Sequence, residues 1–239
     1  MLQYYDDDEF YAAVQSCWSG RQEAASRQLA EGLVRDVGLR AGATSGKHLD
    51  AMAALIGKIF LKAGMPADSL FFNSRVEVPG FYRAEKQWDL LVVLDDTLVA
   101  AVEFKSILGS YGKNLNNRTE EAIGNSEDLL RAFEEGLLGN NTRAPWLGYV
   151  FIIQDEPASR RAVQVREPHF SVDPVFQGAS YQGRAELLCR RLVQKRLYDA
   201  CSYIRSDGSA PEAVEEPAAD LTFAKFAAGI YGRVGEVLA

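Results

Sequence analysis

The sequence predicts an α/β protein: a mixed central sheet flanked by helices, with further helices at the N- and C-termini. Three observations lead there. Two apolar runs, at 90–94 and 98–104, flank Asp95-Asp96-Thr97 and read as a β-hairpin. A helical stretch and a third apolar run at 146–154 follow, a strand–helix–strand crossover that makes the flanking strands parallel neighbours. These strands are apolar on both faces, so helices must cover the sheet above and below.

Residues 6 to 40 carry Ala, Leu, Val and Phe among Glu, Arg and Gln without proline, which predicts a helix. A glycine- and alanine-rich break follows at 38–46. A second helix is expected from Lys47 to Lys62, with Leu49, Met52, Ala53, Ile56, Ile59 and Phe60 at helical spacing and Gly64 and Pro66 to end it. Val76 to Phe81 reads as an edge or first strand interrupted at Pro79-Gly80. Gly109 to Arg118 reads as a polar loop. Thr119 then caps an expected helix to Leu138, with Ile123, Leu130, Phe133 and Leu137 on one face. Residues 155–183, with three prolines, look loop-rich, and such stretches are often functional. A helix is expected from Arg184 to Ile204, its stripe formed by Ala185, Cys189, Leu192, Val193, Leu197, Ala200 and Ile204. Arg184, Arg191 and Lys195 lie opposite, as a solvated face or as a phosphate- or dimer-facing strip. A Pro/Glu/Ala-rich linker at 206–219 leads to a last helix from Leu221 to Leu238, capped by Asp220 and packed through Phe223, Phe226, Ile230, Val234 and Val237.

The 47% hydrophobic and 25% charged content of the 239 residues suits a soluble globular protein. No run of eighteen apolar residues exists, so no membrane span is expected, and the acidic start lacks a signal-peptide pattern. Three cysteines without metal-ligand spacing fit a reduced, cytoplasmic compartment. His48 and His169 read as structural histidines. A net charge of −7 argues against non-specific coating of nucleic acid but leaves room for a local basic groove.

The chemistry concentrates on the hairpin. Pairing Leu94 with Leu98 sets Asp89 opposite Glu103, and the period of two puts Glu103 and Lys105 on that same face with Phe104 turned away. Two carboxylates and an ammonium converge among apolar strands, where burying charge costs several kcal/mol unless the groups pair or hold a metal. Paired carboxylates suit a hard divalent cation such as Mg²⁺, and the lysine can orient a water or steady charge on a phosphate oxygen. An ion-pair patch on a sheet surface uses the same residue types. Asp followed fourteen residues later by Glu-x-Lys on one hairpin favours the site. Asp50 and Glu31 could add a carboxylate from the helices, and Glu121 is a further acidic candidate.

Asp89 with Glu103-Phe104-Lys105 resembles the PD-(D/E)xK nuclease signature, with Trp88 where that signature has proline. Four segments resemble the XhoI-type family of type II restriction endonucleases. They are Pro79-Gly-Phe-Tyr-Arg with Trp88-Asp89-Leu, Glu103-Phe-Lys105-Ser, Asn116-Asn-Arg118-Thr-Glu-Glu-Ala-Ile-Gly124 and Val165-Arg-Glu-Pro-His-Phe170. The likeness runs from about 47 to 204. It departs at Gly109-Ser-Tyr-Gly-Lys113-Asn, where the family usually has Gly-Pro-Ser-Phe-Gly-Asn-Asn.

The resemblance implies a restriction-endonuclease-like core in one endonuclease domain over 1–239, with a catalytic core at about 47–155 and a helical C-terminal part at about 184–239. It implies an Mg²⁺-dependent homodimer that cuts a palindromic duplex site, CTCGAG for the family's namesake, leaving 5′ overhangs with 5′-phosphates and paired with a DNA methyltransferase. Asp89 and Glu103 would ligate the metal with the Phe104 carbonyl, and Lys105 would position the attacking water. One such triad cuts one strand, so a twofold protein matches a twofold site. Asparagine amides and arginine forks read base edges and grip phosphates, which makes Lys113, Asn114, Asn116, Asn117, Arg118, Arg160, Arg161 and Arg166 the DNA-binding candidates. Alternatives are a structure-selective or repair nuclease of the same fold, and a non-enzymatic DNA-binding protein.

Overall fold

The computed structural model of the chain describes residues 3–30 and 49–239. Six strands form the central sheet in the order β1-β4-β5-β6-β7-β8, and β2 pairs with β3 in a separate hairpin. The strands are β1 (Leu70–Phe72), β2 (Glu77–Pro79), β3 (Glu85–Gln87), β4 (Leu90–Leu94), β5 (Thr97–Ile107), β6 (Trp146–Gln154), β7 (Ala200–Ser206) and β8 (Val214–Glu215). β5, β6 and β7 run parallel, while β1–β4, β4–β5 and β7–β8 are antiparallel pairs. The mixed α/β sheet flanked by helices is the expected class.

The faces of the sheet sort by parity along each strand. Leu90, Val92, Val102, Phe104, Val150 and Ile152 pack under three helices: α1 (Asp7–Ala30), α2 (Asp50–Ala63) and, at the C-terminus, α6 (Phe223–Leu238). Leu91, Ala101, Tyr149, Phe151 and Tyr203 pack on the other side, under α3 (Tyr111–Glu134) and α5 (Tyr181–Gln194). The short α4 (Pro157–Arg160) starts the long segment before α5, which otherwise holds one 3₁₀ turn at Pro174–Phe176 and an isolated bridge between Ala162 and Ser180.

The β4–β5 turn differs from expectation in a way that cancels. Asp95 and Asp96 form a two-residue turn with φ of 49° and 59°, the left-handed pair a type I′ hairpin requires, and Leu94 pairs with Thr97. A bulge between Val92 and Val93 leaves Val99 as the extra residue, so Val92 meets Ala100 and Leu90 meets Val102. The bulge restores the register that sets Asp89 across from Glu103.

Other expectations are corrected. The 76–81 stretch supplies β2 of the separate hairpin, and the first strand of the main sheet is Leu70–Phe72. The polar stretch 109–118 is the start of α3 rather than a loop; Thr119 lies inside that helix and its hydroxyl donates to the Leu115 carbonyl (2.8 Å). The buried face of α3 is Leu115, Ala122, Asn125, Ser126, Asp128, Leu129 and Ala132, while Ile123 and Leu137 are exposed. The helix expected from Arg184 to Ile204 ends at Gln194, and Ala200 to Ile204 belong to β7, parallel to β6. Thr222, not Asp220, caps the last helix by accepting from the Lys225 N–H (3.3 Å), and Asp220 instead holds Arg190. Residues 206–219 contain a 3₁₀ turn and β8. Phe223, Phe226, Ile230 and Val234 are buried as expected. Glu31, His48, the 38–46 break and the first residues of the expected second helix lie outside the described residues.

Candidate active site

The site forms where two strands part. β4 begins at Leu90, opposite Val102, but β5 runs five residues further and stays paired with β6 as far as Ile107. From Glu103 onward β5 therefore lacks β4 on that edge. Asp89 fills the first vacancy with its side chain: Oδ2 accepts the Phe104 N–H at 2.7 Å. A carboxylate thus replaces a strand carbonyl and is fixed at the mouth of the gap. In a strand one residue's N–H and C=O face the same edge, so the Phe104 carbonyl also faces that gap.

Glu103 shares that face and is only 3% exposed. Both of its oxygens are engaged. Oε1 accepts from Lys105 Nζ, and Oε2 accepts from Lys86 Nζ at 2.7 Å. Burial pushes the Glu103 carboxyl up, but the two ammonium groups outweigh it and hold the group below the ordinary carboxylate range. Among the described residues, Asp89 has no such ion pair. Burial, then the neighbouring Glu103 charge, raises its carboxyl to about 6, although Lys105, the Phe104 N–H and Lys86 pull the other way. Burial would lower Lys105, yet Glu103 and Asp89 hold it above the usual lysine value. Arg118 is near enough to oppose them.

Lys86 is the participant that the sequence reading missed. It lies on β3, stacks 4.3 Å over the Trp88 ring and also donates to the Gln87 carbonyl (2.8 Å). The available signal was a lysine two residues before a tryptophan, on a strand running straight into Asp89. A second unforeseen group is Asp128 of α3. It accepts from the Phe81 and Tyr82 N–H groups (2.9 and 2.7 Å) and from Arg83 Nε (2.7 Å), while Arg83 also donates to Asn125 (2.9 Å). This clamp fixes the β2–β3 tip, so the hairpin bearing Lys86 is pinned at both ends. Gly80 makes it possible, because a Cβ there would meet Asp128 Oδ2 at 2.5 Å.

The DNA-binding candidates divide. Lys113, Asn116 and Asn117 are exposed at i, i+3 and i+4 on α3, which places them on one face. Asn114 turns back to donate to the Gly109 carbonyl (2.8 Å). Arg118 pairs with Glu121 (2.6 Å), leaving its Nε buried without a hydrogen-bond partner. Arg160 is committed to Asp155 through two bonds of 2.5 Å, whereas Arg161 and Arg166 are exposed on the following loop. The basic strip of α5 is mainly structural: Arg184 donates to the Val163 carbonyl (2.9 Å), and Arg191 pairs with Asp173. Asp50 is exposed in the first turn of α2. Among the described residues, no three His, Cys, Asp or Glu side chains converge as a metal-ligand cluster. The set is two carboxylates beside a backbone carbonyl, which fits a cation that keeps several waters better than one demanding a closed cage. A buried, mutually repelling Asp89–Glu103 pair is what a divalent ion would relieve.

The family model described as "Restriction endonuclease XhoI" matches residues 27–215. The chain belongs to the XhoI restriction endonuclease family. It is 42% identical over 200 residues to the type II restriction enzyme BstVI of Geobacillus stearothermophilus, covering 80% of this chain and 89% of that enzyme. It is also 42% identical over 183 residues to the type II restriction enzyme XhoI of Xanthomonas vasicola, covering 74% and 71%. The type II restriction enzyme AbrI of Azospirillum brasilense is 38% identical over 160 residues, covering 66% and 71%. No solved structure matches. The XhoI-family match reaches beyond the 47–204 segment of the sequence resemblance and takes in both halves of the sheet, including β7 and β8. Among the described residues of this XhoI-family chain, no helix is long and apolar enough to cross a membrane.

Proposed function

We propose that the chain is an Mg²⁺-dependent, site-specific deoxyribonuclease that cuts both strands of a palindromic, CTCGAG-like site and leaves 5′-phosphates. The observation that carries the reading is the Asp89 carboxylate held on the Phe104 N–H, beside Glu103 and Lys105, where β4 and β5 separate. Asp89 and Glu103 would supply carboxylate oxygens to the ion and Phe104 its carbonyl. Bound there, Mg²⁺ would withdraw charge from the scissile phosphate. Lys105, kept protonated by its two acidic neighbours, would hold the attacking water by hydrogen bond and steady negative charge on the phosphate oxygens. In-line attack by that water would form a new P–O bond as the P–O3′ bond breaks, its proton released to solvent and the 3′-oxygen leaving as a hydroxyl protonated by solvent, so that the phosphate stays on the 5′ end.

Lys113, Asn116 and Asn117 would meet the duplex from the exposed face of α3, with Arg118 reaching toward the phosphate beside Lys105. Arg161 and Arg166 would add backbone contacts from the loop, while Arg160 would position that loop through Asp155. Each chain holds one such set, so cutting both strands calls for a homodimer. A cytoplasmic enzyme of this kind requires a methyltransferase of the same specificity to spare host DNA.

Purified protein, Mg²⁺ and a plasmid of known sequence test the reading through end mapping. The expected result is discrete fragments with a common terminal sequence. Asp89→Ala or Lys105→Ala should cut slower by at least about 10²–10³-fold, the scale of losing one charge-stabilising group. Duplex binding by those variants in gel shift should persist. A Lys105→Ala enzyme cutting near the wild-type rate would remove the assigned role.

A further inference from the structure

Lys86 lies on a strand outside the main sheet, yet its ammonium sits 2.7 Å from Glu103 Oε2 with the side chain only 10% exposed. Glu103 has two oxygens, and Lys105 holds the other. Each oxygen keeps a second lone pair, but a divalent cation ligated there would sit against two ammonium groups. That repulsion is relieved when one ammonium moves away. Among the described residues the hydrogen bond of the Lys105 ammonium is the one to Glu103, so no second acceptor is in place to receive it. Lys86 is differently placed. Its other contacts, the Trp88 ring at 4.3 Å and the Gln87 carbonyl at 2.8 Å, belong to its own chain segment and remain available after it lets go of Glu103.

We propose that Lys86 is a built-in stand-in for the divalent cation: it neutralises and orients Glu103 until metal binds, and then withdraws onto Trp88 and the Gln87 carbonyl. This rests on Asp89 and Glu103 being metal ligands. It makes Lys86 a positioning residue, not a catalytic one. The arrangement keeps a buried carboxylate paired before the ion arrives, avoiding the cost of leaving that charge uncompensated. It also ties metal capture to the β2–β3 hairpin, whose tip Asp128 fixes to α3.

Calorimetric titration of the full chain with Mn²⁺, without DNA, tests this on wild type, Lys86→Met and Asp89→Ala. Methionine keeps the stem against Trp88 and removes the charge. Lys86→Met should bind Mn²⁺ about tenfold more tightly, the scale of deleting one competing charge at hydrogen-bond distance. Equal or weaker binding by Lys86→Met, with wild type binding normally, overturns the stand-in role and leaves the metal site intact. No binding by wild type, or undiminished binding by Asp89→Ala, overturns the metal reading itself. A second measurement needs no variant: reductive methylation of wild-type lysines, read by peptide mass. Lys86 should label several-fold faster when Mn²⁺ is present, and unchanged protection at saturating Mn²⁺ refutes its withdrawal.

Discussion

Asp128 occupies the middle of α3, where a carboxylate normally faces water, yet it is 3% exposed. Burial alone would push its carboxyl up. The Arg83 guanidinium and the Tyr82 and Phe81 N–H groups outweigh this and hold it below the ordinary carboxylate value. A group lowered on folding contributes stability that is present above its unfolded pKa and disappears as pH falls through its folded value. Asp128→Ala should therefore unfold at lower denaturant at pH 7, by about 2–3 kcal/mol for a charged hydrogen-bonded group. The gap from wild type should shrink on acidification below about pH 4, the unfolded carboxylate range. A constant gap down to strongly acid pH would mean that packing, not the charge, does the holding. The same clamp explains which site residues the sequence could show. Asp89, Glu103 and Lys105 were readable because they sit on adjacent strands, where period two and one turn fix the faces. Arg83 and Asp128 meet only after a hairpin folds onto a helix, which no local spacing encodes, and the lysine–tryptophan spacing at Lys86 does not by itself say that its ammonium reaches Glu103.

At the scale of elements, a glycine at the helix C-terminus marks the end of α2, the absence of one hides the end of α5, and the helix expected for α3 runs past its glycine to Leu138. α2 ends with the Gly64 N–H on Leu61 and the Met65 N–H on Phe60, a Schellman motif with glycine at the left-handed position, φ 119°. α3 ends the same way at Gly136, φ 73°. α5 makes the identical bonds, Arg196 to Val193 and Leu197 to Leu192, but puts Arg196 at φ 58°. With no glycine to mark the stop, Leu197, Ala200 and Ile204 continue the helical spacing, and β7 passes as more helix. The α3 stripe misled for a related reason. Its buried face mixes Leu115 and Leu129 with small and polar residues such as Ala122, Ser126 and Asp128, while the larger Ile123 faces solvent and Leu137, past the helix end, is exposed. Because a side chain strains the left-handed conformation and glycine does not, Arg196→Gly should raise stability by about 0.5–1 kcal/mol, net of glycine's greater unfolded-state freedom. Thermal unfolding measures it, and a lowered melting temperature would show that the arginine side chain contributes more than its backbone strain removes.

For the whole molecule, the sheet class and the parallel β5–β6 pair followed from the sequence because long apolar runs separated by a helix admit few topologies. The pairing of β1 with β4 and the addition of β8 did not, since three-residue and two-residue strands carry almost no pattern, and the seven-residue β7 was hidden by the helical spacing that runs on from α5. Charge is the remaining molecular property. A chain of net charge −7 must approach a polyanion, so whatever attraction exists has to come from a few cations presented together. Lys113, exposed on the face of α3 that also carries Asn116 and Asn117, is the cation this placement puts forward. Each phosphate neutralised releases counterions, giving a slope of log K against log salt of about −0.9 per contact on duplex DNA. Anisotropy titrations in EDTA, where no cutting occurs, should show Lys113→Ala losing about one unit of that slope. The loss should be similar on duplexes with and without the recognition site, because a phosphate contact carries no sequence information. Should the slope stay unchanged while discrimination between the two duplexes falls, Lys113 reads a base edge, and the phosphate contacts belong to Arg118 and the 161–166 loop.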